Sequence, residues 1–251
     1  MGDRALAWRI EQTCFYAWPA LNDRPVGDWV ARSGRGLYRR TNSANPLRPR
    51  PRRIDASIAA CEALYRRWEM PTIFRIPSII DPAMDGRLDR LDYRLEGETL
   101  TLFGIREDLV DAPDPDVEIL AAPSDEWLTA KAALSGFSPE HGAVYRDVIA
   151  GLTLSAAFAA LRVDGQIAAL AFAARRDGLI CIEGVVTDER QRGRGLARRM
   201  LSALLASKLA ADCEGACLQV QADNSAAVRL YRRLGLTNEL YRYHYRREPP
   251  G

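Results

Sequence analysis

Three strand-length runs, LSAAFAALRV (154–163), QIAALAFAARR (166–176) and LICIEGVVT (179–187), are separated only by the pairs Asp164-Gly165 and Asp177-Gly178. Asp-Gly between two apolar runs marks a two-residue hairpin turn, whose central residues both take positive φ. The three runs are therefore expected to fold back on one another as an antiparallel meander. A loop rich in arginine and glycine follows, then a helix from about 194 to 211 with Leu196, Met200, Leu204, Leu205 and Leu209 on one face. A strand at CLQVQA (217–222), a helix from about Asn224 to Leu234 and a final strand pair ending in LYRYHYR (240–246) complete this part.

Upstream of the meander the pattern is α/β. Residues 29–45 read as two short strands around a turn in which Gly34 and Gly36 can take positive φ. Asp55 is positioned to cap a helix carrying Ile58, Cys61, Leu64, Tyr65 and Trp68, which Pro71 stops. TIFRIPS (72–78) is strand-like, residues 84–95 suggest a short helix, and GETLTLFGI (97–105) alternates as a half-buried strand does. Residues 106–116, REDLVDAPDPD, have the composition of an exposed connector. They are taken as the boundary between a first unit, 1–105, and a second, 117–251. The second opens with a strand at VEIL (117–120), a helix capped by Ser124 and another opened by Ser138 and Pro139.

Composition excludes several functions. Hydrophobic residues make up 47% and charged residues 27%, and no apolar run approaches the roughly 20 residues that cross a bilayer. No secretory signal is evident, so a cytoplasmic, membrane-free protein is expected. Cys14, Cys61, Cys181, Cys213 and Cys217 lack CxxC spacing and read as small apolar fillers in a reducing compartment. With two histidines, His141 and His244, neither a histidine-based metal site nor a Ser/His dyad is favoured, and no metal is expected. The net charge of +2 argues against nucleic acid as an obligatory partner. Arg48, Arg50, Arg52 and Arg53 read as a solvated loop.

The strongest chemical signal is Arg192-Gly193-Arg194-Gly195-Leu196-Ala197, between the strand end Val185-Val186-Thr187 and an amphipathic helix. Glycines let backbone approach a ligand, and unpaired N–H groups with the positive end of a helix favour phosphate oxygens. Arg190, Arg192 and Arg194 can add charge-assisted contacts. A diphosphate is the natural guest. GxxxxGK[ST] and GxGxxG are both missing and a meander replaces the βαβ unit, so neither ATP nor NAD fits.

Here the chain resembles the GNAT superfamily of acyltransferases. RGRGLA is similar to its R/Q-x-x-G-x-G/A diphosphate motif, and residues 224–236, NSAAVRLYRRLGL, look like its N-x-x-A-x-x-x-Y-x-x-x-G-F segment, with Leu236 replacing the usual phenylalanine. The resemblance covers roughly residues 115–246. It implies a GNAT fold of α/β (α+β) class, with a mixed, mainly antiparallel sheet flanked by helices. It also implies acetyl-CoA as co-substrate, bound by Val185, Val186, Thr187, Arg192, Gly193, Arg194, Gly195, Leu196, Ala197, Asn224 and Tyr231. The acetyl group would pass to an amine by direct attack in a ternary complex, in which Tyr231 protonates the departing thiolate. Asn224 either caps its helix, holds the pantetheine arm, or does both. Tyr231 is otherwise a core residue.

A general base is less legible. Glu183, on the strand before the cofactor segment, is the carboxylate best placed to take the amine proton; it is otherwise a solvated strand residue. Glu239, Tyr241, Tyr243 and His244 are lesser candidates for base or acceptor-pocket roles. Cys181 is the thiol near this segment. The stretches AWPAL (17–21) and RRTNSANPL (39–47) look like those of bacterial two-part GNAT proteins, making residues 1–105 a degenerate GNAT-like half. That half would shape the acceptor pocket in an intramolecular pseudo-dimer; a homodimer is the other arrangement. A CoA-binding sensor or scaffold without transfer is the alternative function.

Overall fold

The structure, a computed structural model, describes residues 2–249. Its first half runs through α1 (Gly2–Ala17), β1 (Asn22–Val26), β2 (Trp29–Ser33), β3 (Ala44–Pro46), α2 (Ile54–Arg67), β4 (Ile73–Pro77), α3 (Ala83–Asp89) and β5 (Arg94–Ile105). The second continues through β6 (Val117–Leu120), α4 (Asp125–Leu134), α5 (Pro139–Ala150), β7 (Ser155–Val163), β8 (Gln166–Arg176) and β9 (Leu179–Thr187). It ends with α6 (Leu196–Leu205), β10 (Gly215–Gln221), α7 (Ser225–Arg233) and β11 (Asn238–Arg247).

All eleven strands form one sheet in the order β1-β2-β3-β4-β11-β5-β10-β9-β8-β7-β6. Among the described residues only β3–β4 and β9–β10 pair in parallel, so the sheet is mixed and mainly antiparallel, as the resemblance implies. The meander is present. Asp164 and Gly165 have φ of 50° and 78°, Asp177 and Gly178 of 47° and 76°, the double positive φ that a two-residue turn needs.

The C-terminal part departs from expectation. Its last segment is one strand, β11, and not a strand pair; it pairs with β4 on one side and β5 on the other. Bulges at Glu239/Tyr241 and His244/Tyr245 let this long strand follow both neighbours. The helix expected over 194–211 stops at Leu205, and Leu209 lies in a separate 3-10 turn, Lys208–Ala210, that still packs on the same core. In the first half, Arg53 at φ 51° is the N-cap of α2, while Asp55 sits inside its first turn. The helix ends before Pro71, with Glu69 at φ 55° turning the chain. Ser124 and Ser138 cap α4 and α5 through side-chain oxygens, as their spacing requires.

Alternation along β9 sends Ile180 and Ile182 to one face and Cys181 to the other. On the first face, α6 buries Leu196, Met200, Leu201 and Leu204 against β7 and β8. On the second, α1 lays Ala7, Ile10, Cys14 and Ala17 across β8, β9 and β10. A helix from the first half thus roofs strands of the second. The connector 106–116 is mostly exposed but anchored. Leu109 is buried, Ala112 N–H donates to Ser202 O, Ser202 Oγ–H donates to Val110 O, and Asp114 and Asp116 hold Arg199 of α6 at 2.7 and 2.6 Å.

Candidate active site

The sheet opens at its centre. Strands β9 and β10 are registered only through Leu179–Cys181 and Gly215–Cys217, and beyond Cys181 that edge of β9 has no strand partner. On its other side β9 has a bulge at Gly184, φ 65°, where the pairing with β8 shifts. Lys131 of α4 donates to the Gly184 carbonyl at 2.9 Å. A cleft-facing strand with free backbone groups results.

A cavity of about 570 Å³ occupies the opening, and its lining includes Val185, Val186, Thr187, Arg192, Gly193, Gly195, Leu196, Ala197, Asn224 and Tyr231. Ten of the eleven expected cofactor residues therefore meet in one place. Arg194 is outside the lining and donates instead to Gln191 Oε1 at 2.9 Å. Gln191, Arg198, Ala226, Ala227 and Leu230 line the cavity as well, beyond the sequence expectation. Spacing gives a signal for Arg198, which lies three residues past Gly195 and so on the same face of α6's first turn.

Gly195 is the N-cap of α6 at φ 77°, ψ 7°, and no side chain caps that helix. Its first N–H groups are therefore available to an anion. A Cβ built on Gly193 or Gly195 would meet no protein atom within 4 Å, so both glycines border open space. Asn224 caps α7 by accepting from Ala227 N–H at 3.1 Å, the capping alternative its sequence position allowed.

Tyr231, at the end of α7, faces the cavity. Burial, with the nearby Glu183 charge adding to it, has its pKa pushed up to about 12. The phenol therefore keeps its proton throughout the neutral and mildly alkaline range.

Glu183 is 8% exposed, not solvated. Its Oε2 accepts from Arg40 Nη2 at 2.7 Å, and Arg40 Nη1 also donates to Gln219 Oε1 at 3.0 Å. Burial raises the Glu183 carboxyl, and the Arg40 guanidinium pulls the other way. A second cavity of about 410 Å³ begins here, walled by Trp18, Tyr38, Arg39, Arg40, Thr99, Gln219, Tyr243 and Tyr245. Along β9, Glu183 lines this cavity and Val185 lines the first, separated by the Gly184 bulge. Of the lesser candidates only Tyr243 reaches it. Tyr241 donates to the buried Glu11 at 2.6 Å, His244 is held by Asp85 at 2.8 Å, and Glu239 pairs with Arg242. Trp18, Tyr38, Arg39 and Arg40 come from the first half, which the sequence expects to shape the acceptor pocket; Trp18, Arg39 and Arg40 lie in the stretches AWPAL and RRTNSANPL, but the sequence gives none of them an individual role.

Three of the five cysteines come together in space. Cys14, Cys181 and Cys217, from α1, β9 and β10, meet with thiol atoms within 4.8 Å of one another, buried in the core under α1. Contacts with Cys14 and Cys217, then burial, hold the Cys181 thiol well above its ordinary range, which makes it a poor nucleophile.

Lys131 carries a measurable electrostatic cost. Burial has its pKa pushed down to about 8, only partly opposed by Glu183. Between about pH 8 and 10.5 the unfolded chain holds a proton that the folded chain has released, so this residue makes stability rise with pH across that window; below it the penalty, on the order of 3 kcal/mol, is fully present. Thermal melts of the wild type and Lys131→Met between pH 7 and 10 are expected to show the wild type gaining on the variant as pH rises. Parallel curves would show that Lys131 titrates normally.

The family described as "probable histone acetyltransferase Rv0428c C-terminal" matches residues 7–246. The chain belongs to this family. It is an acyltransferase of the two-part GNAT type. The uncharacterized N-acetyltransferase YobR of Bacillus subtilis (strain 168) is 24% identical over 242 residues, covering 95% of this chain and 97% of YobR. A GCN5-related N-acetyltransferase from Kribbella flavida superposes with a TM-score of 0.72 at 17% identity, over 100% of this chain and 96% of that one. A tandem GNAT protein from the clavulanic acid biosynthesis pathway gives 0.64 at 14% identity, covering 83% and 76%. These likenesses place the fold of both halves within the GNAT acetyltransferases. Among the described residues, no helix is long and apolar enough to cross a membrane.

Proposed function

We propose that this acetyltransferase moves the acetyl group of acetyl-CoA onto an amine by direct attack, with the cofactor in the 570 Å³ cavity and the amine entering from the cavity beside Glu183. The observation that carries this reading is the convergence of three elements on one opening: the uncapped start of α6, the unpaired edge of β9 and the phenol of Tyr231. Their donors match what the cofactor presents. The α6 N–H groups with Arg192 and Arg198 suit a diphosphate, and the β9 backbone suits an amide-bearing arm.

The chain's own groups cover each proton step. Glu183, ionised beside Arg40, takes the proton from the incoming amine directly or through water, so that a neutral nitrogen attacks. A backbone N–H of β9 near Val185 polarises the thioester carbonyl. Tyr231 gives its proton to the departing thiolate. An ordinary thiol ionises near a pKa of about 8.5, below a phenol pushed up to about 12, and shielding the thiolate from water raises its basicity and narrows that gap. Cys181 is buried, which supports transfer without an acyl-enzyme. Acetyl-CoA supplies the activated acyl group.

Gly195→Val tests the cofactor site. Its φ of 77° costs a β-branched residue a few kcal/mol at most, and the new side chain would project into open space in front of the α6 N–H groups. Calorimetry is expected to show acetyl-CoA affinity falling about a hundredfold while far-UV circular dichroism stays native. Unchanged affinity would place the cofactor elsewhere.

A further inference from the structure

Charge around the second cavity is unbalanced. Arg40 is neutralised by Glu183. Arg39, on the same short 3-10 turn, has only a long 3.4 Å contact with Glu96, and Glu96 is held more closely by Arg247 at 2.7 Å. Three guanidinium groups thus share two carboxylates, and Arg39 is the one left loosely paired at the cavity wall. Its guanidinium lies 5.0 Å from the centre of the Tyr245 ring, and that of Arg40 lies 5.1 Å from the centre of Trp18, so both forks sit against aromatic rings. Planar arginine donors fixed in this way suit a carboxylate.

We infer that the acceptor is a small amine that also carries a carboxylate, an amino-acid-like molecule with its nitrogen toward Glu183 and its anionic group on Arg39. This rests on the acetyl-transfer reading and adds the substrate class. The volume of about 410 Å³ is near the lower end of small-ligand sites, which run about 300–1,000 Å³. Trp18, Tyr38, Tyr243 and Tyr245 offer flat apolar surface to the rest of the molecule. A polyamine, an aminoglycoside or a lysine-rich peptide would bring several positive charges to a wall already one guanidinium in excess. An amine–carboxylate cancels that excess instead.

The test uses the full chain with acetyl-CoA and five acceptor arms: free L-amino acids, their carboxamides, the decarboxylated amines, a phosphate-bearing amine and spermidine with a lysine peptide. Turnover is read as CoA thiol release and as mass of the acetylated product. Free amino acids are expected to exceed their carboxamides in kcat/KM by about tenfold or more, the effect of one charge-assisted contact. Arg39→Gln is expected to bring that ratio toward one through KM, and Arg39→Lys to keep part of it.

Preference for spermidine or the lysine peptide, a carboxylate-to-carboxamide ratio that Arg39→Gln leaves unchanged, or turnover of none of the arms would each overturn the inference. A phosphate-bearing amine outpacing every amino acid would overturn the carboxylate assignment. Calorimetry with acetyl-CoA alone separates the two readings: binding without turnover of any arm removes the acceptor inference and leaves the cofactor site standing, whereas no binding removes the cofactor site itself.

Discussion

Residues 106–251 expressed alone are expected not to fold, and to bind no acetyl-CoA. Cutting after β5 leaves β11 without either of its sheet neighbours, since β4 and β5 both precede residue 106, and leaves β10 with one. It also strips α1 from the face that holds Cys181, Cys217, Ala174 and Leu179, exposing a continuous apolar surface. A long strand with both edges bare is a site for intermolecular pairing, so aggregation is the expected failure. Size-exclusion chromatography and circular dichroism of the fragment check this. A monomeric, folded fragment with full turnover would show that the first half is dispensable, and the shared sheet would then have no energetic meaning. Adding residues 1–105 as a separate chain is expected to recover some soluble complex, because strand pairing, apolar packing and ion pairs such as Arg40–Glu183, none of which needs a covalent link, join the two halves.

The legible parts of this fold are those fixed by neighbouring residues. Asp164-Gly165 and Asp177-Gly178 specify turns by their own φ preferences, and the strands they join follow from that alone. Ser124 and Ser138 cap their helices through bonds spanning three residues. The 570 Å³ cavity is similarly readable, because its lining comes from two short segments, 185–198 and 224–231. What stays hidden is long-range. Helix α1 gives no sequence signal because its buried face mixes Ile10 and Cys14 with Glu11 and Thr13, both also buried, so no clean apolar stripe exists. Glu11 is tolerated there only because Arg75 and Tyr241, sixty-four and 230 residues distant, satisfy it. The second cavity has the same character: Trp18, Arg40, Glu183, Gln219 and Tyr243 have no common spacing, and only the folded sheet joins them.

Arg40→Met is expected to lower kcat at pH 7 by on the order of a hundredfold, and to restore much of it as pH rises. Glu183 is buried, and the ion pair with Arg40 is what opposes the upward pull of burial on its carboxyl. Without the guanidinium that pull is unopposed, so the carboxyl holds its proton to higher pH and no longer accepts one from the amine. The acidic limb of kcat against pH should therefore shift upward, because activity requires the deprotonated form and is lost as pH falls through the carboxyl's own pKa. Glu183→Gln should lose a comparable rate with no recovery at any pH, and Arg40→Lys, which keeps the charge, should lie near the wild type. Stability is expected to fall by about 3–5 kcal/mol in Arg40→Met, the cost of leaving one member of a buried pair alone. That loss calls for assays at a temperature where melting curves show the variant folded. Wild-type pH profiles in both Arg40→Met and Glu183→Gln would mean that Glu183 handles no proton, and that the pair only fastens the first half to the second. A shifted limb in one and a flat loss in the other would tie the chemistry on β9 to an arginine 143 residues upstream, giving the first half a direct part in catalysis.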